Sequence, residues 1–94
     1  MGIGFANVAT AIASGTVTVG TTVGVVIPAR PGRKNVTVIQ EGFVDVRLGD
    51  STVTTSAGAL LVGTKGTGIV IDGSAAVYGI STGAAQAVSY LETF

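Results

Sequence analysis

Hydrophobic and polar positions alternate along most of this chain with the two-residue period of a β-strand. The clearest run is residues 43–48, where Val44, Val46 and Leu48 share one face and Asp45 and Arg47 share the other. Residues 35–41 repeat the pattern, with Val36 and Val38 on one side and Thr37 and Ile39 on the other. Residues 16–19 read Thr-Val-Thr-Val, and residues 22–27 form an apolar run that stops at Pro28. Shorter strands are expected at 59–62 and 69–71, with brief pairing at 52–55. Residues 76–81, with Tyr78 and Ile80 on one side, and residues 85–92 complete the series.

Turn residues separate these runs: Gly20-Thr21, Gly42, Gly49-Asp50-Ser51, the glycine-rich stretch 63–68 and Thr82-Gly83. Asp72-Gly73 is a strong hairpin signal and predicts that the strands on either side of it pair with each other. Seven or eight short strands at this spacing predict an all-β fold, a single small β-sandwich or jelly-roll-like barrel over residues 16–94. No helix longer than two turns and no internal repeat is expected.

Composition shifts the picture from catalyst to building material. The chain has 94 residues, enough for one domain, and it is 47% hydrophobic but only 5% aromatic and 11% charged. Its apolar content therefore lies in small, branched side chains that suit a pleated sheet. A core of such residues is modest, and the chain has no cysteine for disulfides, so oligomerisation is the expected stabilising device. Net charge is zero, which supplies no field favouring nucleic acid or an anionic membrane. The sequence also lacks histidine, the usual proton carrier near neutral pH and a common metal ligand. No catalytic residue, cofactor or metal site is expected.

Residues 1–15 carry no charge and no clear period, and they read as an N-terminal arm that orders on a neighbour, anchored by Phe5 and Ile12. An extra edge strand is the competing reading. No basic residue precedes this apolar stretch, so a secretory leader is not expected, and Ala6 breaks the myristoylation pattern.

Each remaining constellation has a plain structural explanation. Residues 58–65 approach a phosphate-binding loop, but Lys65 does not directly follow the second glycine and no helix is expected after it. Asp45, Asp50, Asp72 and Glu92 would hold calcium only if the fold gathered them; Asp50 and Asp72 precede turns, and Asp45 shares a wet face with Arg47. A hydroxyl nucleophile needs an adjacent base, and without histidine a Ser–Lys pair using Lys34 or Lys65 is formally open but not expected. Asn35-Val36-Thr37 matches a glycosylation acceptor, although Asn35 more simply opens a strand. Arg30, Arg33 and Lys34 form the one basic cluster, on a loop bounded by Pro28 and Pro31. With no aromatics interleaved it reads as a solvated loop, and otherwise as a docking element for an acidic protein surface.

Four segments resemble a family of small β-rich virion proteins of tailed bacteriophages: RKNVTVIQ at 33–40, VDVRLGDSTVTT at 44–55, AVYGIS at 76–81 and AVSYLE at 87–92. The resemblance spans roughly two-thirds of the chain and leaves out the N-terminal arm. It implies a capsid decoration (cement) protein, commonly a homotrimer, made in the bacterial cytoplasm and carried on the phage head surface. It supplies no catalytic residues. The implied partners are the major capsid protein and further copies of the chain, with no nucleic acid, membrane or small-molecule substrate. Phe5, Ile12, Arg30, Arg33 and Lys34 are the expected partner contacts. A head-fibre, tail-fibre or head–tail adaptor module is the alternative within the structural class. A carbohydrate-binding sandwich is the alternative outside it, with Phe5, Phe43, Tyr78, Tyr90 and Phe94 as the available aromatics.

Overall fold

In the computed structural model, residues 11–94 are described. They form eight strands: β1 (Ile12–Val19), β2 (Gly24–Ile27), β3 (Asn35–Gln40), β4 (Val46–Gly49), β5 (Ala59–Leu61), β6 (Gly68–Asp72), β7 (Val77–Ser81) and β8 (Gln86–Thr93). There is no helix among the described residues. Two four-stranded antiparallel sheets result, one ordered β1-β8-β3-β6 and the other β2-β7-β4-β5. First pairs with last, second with seventh, third with sixth and fourth with fifth, so the chain is one long hairpin rolled into two layers. That is the jelly-roll arrangement, the more specific of the two sandwich forms expected from the strand rhythm.

Alternation explains which side of each strand turns inward. Burial along β3 switches residue by residue, with Val36, Val38 and Gln40 buried. The core joins Val19, Val26, Ile27, Val36, Val38, Val46, Leu48, Leu61, Val77 and Val88, with no aromatic side chain in it among the described residues. Tyr90 packs against its margin, over Gly15, where an added Cβ would lie 2.7 Å from the Tyr90 hydroxyl. Gly15 thus makes room for the ring in mid-strand.

Three expectations change. Residues 12–15, read as part of an arm or else as an extra edge strand, take the second form: they make the first half of the edge strand β1 and pair with residues 90–93 of β8. Phe5 lies outside the described residues. The fourth strand begins at Val46, because residues 41–45 cross from one sheet to the other. The Asp72-Gly73 turn does bend the chain, with Gly73 at φ +100°, but β6 and β7 lie in different sheets and do not pair. Turn chemistry reverses a chain locally; it does not choose the strand that receives the ladder bonds. Only β4 and β5, consecutive in sequence, form a hairpin among the described strands.

Candidate contact surface

Six of the seven connections cross between the sheets, so their backbone groups must find partners outside the ladders. Backbone bonds between crossings supply some of these partners, and polar side chains at strand ends and in the crossings supply others. At the end of the sandwich holding the start of β3 and the end of β8, Arg33 is buried. Its Nε donates to the Gly73 carbonyl at 2.9 Å, and its guanidinium also donates to the carbonyls of Pro28, at 3.1 Å, and Ala75. It closes a buried ion pair with Glu92 at 3.2 Å. One side chain therefore ties together the β2–β3 crossing, the β6–β7 crossing and the last strand.

Arg30 completes this cluster from outside. It pairs with the other Glu92 oxygen at 3.3 Å and lies 4.0 Å from the centroid of the Phe94 ring. A cleft of about 410 Å³ opens beside it, lined by Pro28, Ala29, Arg30, Pro31, Tyr90 and Glu92.

The opposite end uses two glutamines. Gln40 donates to the Val44 carbonyl at 2.8 Å and accepts from the Gly42 amide at 3.2 Å. Gln86 accepts from the amides of Phe43 and Val44, each at 3.1 Å. An added Cβ at Gly42 would lie 2.1 Å from the Gln86 side chain, so glycine is needed there for the close approach. Asp45 accepts from the Gly63 amide at 2.6 Å and anchors the neighbouring loop. These ends are structural latches that fix the loops.

The basic cluster expected on one solvated loop is thus divided by the fold. Arg33 is internal and does not offer its charge to a partner, because three carbonyls and a carboxylate enclose it. Arg30 is held against Glu92 and Phe94 with its side chain 40% exposed, while Lys34 is exposed. Ile12 is 71% exposed on the outer face at the edge of the first sheet. The carboxylates are not gathered: Asp45 lies at the glutamine end, Glu92 is engaged by two arginines, and Asp50 closes its own turn. Thr52 donates both its hydroxyl, at 2.5 Å, and its amide, at 2.9 Å, to Asp50 and holds that carboxyl below its usual pKa. No group of three or more metal-ligating side chains occurs among the described residues. Gly58 and Lys65 sit on either side of β5, so a strand runs where a phosphate-binding motif would place its loop, and a further strand, β6, follows in place of a helix.

The outer faces carry what the sequence left unassigned. On the second sheet, Val25 is paired with Tyr78, and Arg47 lies between Leu60 and Ile80. Val25 and Leu60 are 49% and 46% exposed, and Val62 just beyond β5 is also exposed. Arg47 donates to the Gly58 carbonyl at 3.1 Å, and its buried Nε has no hydrogen-bond partner among the described residues. Phe43 is 81% exposed on the β3–β4 crossing. The alternation that puts Val46 and Leu48 in the core and leaves Val44 half-buried places Phe43 outside the core phase. Inward phase likewise marks Gln40, two residues after Val38, and Gln86, two before Val88, as buried polar residues awaiting partners. Compared with protein-family models, curated proteins and solved structures, the chain matches none.

Proposed function

We propose that this chain is a structural subunit of a bacteriophage particle, a decoration protein that binds the assembled head as an oligomer and clamps it. The observation carrying this reading is the outer face of the second sheet, where Leu60 and Ile80 flank the single charge of Arg47 and Tyr78 and Val25 extend the apolar surface. An apolar sheet face of this kind favours burial against another protein. The phage-like segments named above supply the class of partner, the major capsid protein. The jelly roll is a topology that viral capsid domains use, a support by analogy alone because folds host many functions.

Clamping needs no chemistry at a reacting centre. A protein that binds only the assembled shell stabilises it by mass action, and several weak symmetric contacts add through avidity. Ile12, Arg30 and Lys34 are the remaining surface candidates for that contact. The test is co-sedimentation with purified, undecorated heads, followed by heating. Saturable binding that raises the disruption temperature of the heads is expected, and a chain left in the supernatant sinks the proposal. Gold labelling on intact particles separates the head position from a fibre or head–tail adaptor position.

A carbohydrate-binding module is the second reading, and exposed Phe43 is the observation that favours it, since a bare ring can stack on a sugar. A glycan-array ligand lost in Phe43→Ala would promote it; an array without hits would remove it.

A further inference from the structure

We infer that β1 is a self-recognition edge: two copies of the chain pair their β1 strands antiparallel about a two-fold axis at Gly15 and form one continuous eight-stranded sheet. The inference deepens the reading of the chain as a self-assembling structural subunit and rests on it.

The four sheet edges differ in how they are guarded. The edge at β2 has a register shift between Val25 and Ile27 and runs directly into Pro28. The edge at β5 is three residues long. The edge at β6 is five residues and ends on the charge of Asp72. Bulges, prolines, short length and charge are the devices that keep an edge from pairing. By contrast β1 is eight residues long, has an unbroken register with β8, and contains no proline and no charge.

The ladder phase says which groups β1 offers. Ala11 and Phe94 exchange reciprocal amide-to-carbonyl bonds at 2.7 and 2.9 Å. In an antiparallel ladder such pairs alternate, so the odd-numbered residues of β1 bond to β8. The amides and carbonyls of Ile12, Ser14, Thr16 and Thr18 consequently point to the free side, where no strand lies among the described residues. This set is self-complementary. With the axis at Gly15, Ile12 faces Thr18 and Ser14 faces Thr16 across the two-fold, and every outward group of these residues meets an opposite group. Two strands without charge meet with no like-charge repulsion. The three other edges lack such a run, which is why the occupant is a second β1.

A strand pair is small beside a standard interface of roughly 1,600 Å². The dimer is therefore expected to dissociate on dilution. This closure is two-fold, distinct from the trimer that the sequence resemblance implies.

The test combines solution mass with hydrogen exchange of the full chain. Light scattering should show a mass that doubles with concentration. In the dimer, the amides of Ser14, Thr16 and Thr18 should exchange on the order of tenfold more slowly than after dilution, while Ala13, Gly15 and Val17 stay protected throughout. Thr16→Pro removes one outward amide and no β1–β8 bond, so it should abolish the dimer and leave a folded monomer. If that variant fails to fold, the exchange pattern of the unaltered chain still decides. A chain monomeric at every concentration overturns the inference, as does an oligomer whose Ser14 and Thr16 amides exchange freely, or a dimer undiminished in Thr16→Pro. Head binding is measured separately: a β1 dimer that ignores heads would remove the decoration reading alone.

Discussion

Arg33→Ala is expected to cost about 3–5 kcal/mol of folding free energy, the usual penalty for removing one partner of a buried ion pair. The substitution strips donors from the carbonyls of Pro28, Gly73 and Ala75 and leaves Glu92 with Arg30 as its ion-pair partner. Each carbonyl lies on a crossing that has no ladder to fall back on. A domain of this size has a total stability of about 5–15 kcal/mol, so the loss takes a large share of it. The melting temperature should fall by at least about 12 °C in a thermal scan. Arg33→Lys should recover little, since a single ammonium cannot span the positions that the planar guanidinium reaches at once. Arg30→Ala is the control. Its ion pair is partly exposed and its loss should cost roughly 1 kcal/mol or less. Equal melting temperatures for Arg33→Ala and the unaltered protein would show that the latch carries no weight.

Leu48→Ala should cost about 2–5 kcal/mol, toward the upper part of that range. Leu48 is 1% exposed and, with Val26, fills the space over Gly79, where an added Cβ would approach the two side chains at 3.1 and 2.6 Å. Gly79 has no side chain to move into the vacated volume, and the neighbouring valines are short and stiff. The cavity would stay open. Leu60→Ala, one strand over on the outer face, should change folding stability by no more than about 0.5 kcal/mol. The pair separates two roles for leucine in one sheet. Denaturant melts give the stability difference, and head binding by Leu60→Ala reports whether the outer face is used.

Several features of this arrangement follow from short stretches of sequence. Val36, Val38, Val46 and Leu48 were legible as inward-facing because each lies in an unbroken period-2 run. Tyr78 and Ile80 were legible as sharing one side of their strand, and the packing of the two sheets made that side the outer one. Arg33 was not. It follows a proline and a glycine in a loop, and nothing local distinguishes it from Arg30 or Lys34. Its burial comes from the β6–β7 crossing and from Glu92, 40 and 59 residues away, respectively, for its bonds to Gly73 and Glu92. Burial takes Arg33 off the contact surface, while Ile12, Arg30 and Lys34 reach solvent. A charged side chain is assigned to solvent or interior by what the distant chain brings to it.

Local alternation and turn residues were enough to determine an all-β chain, the places where it bends and the two-residue phase of its cleanest strands. Strand phase is a property of neighbouring residues, and burial of branched aliphatic side chains enforces it. The partner of each strand was decided only in three dimensions. The expected β6–β7 hairpin gave way to the β3–β6 and β4–β7 ladders, because stacking two apolar faces buries more surface than one isolated hairpin offers. Rolling the chain in this way also created its latches and left β1 as the one long, uncharged edge among the described strands.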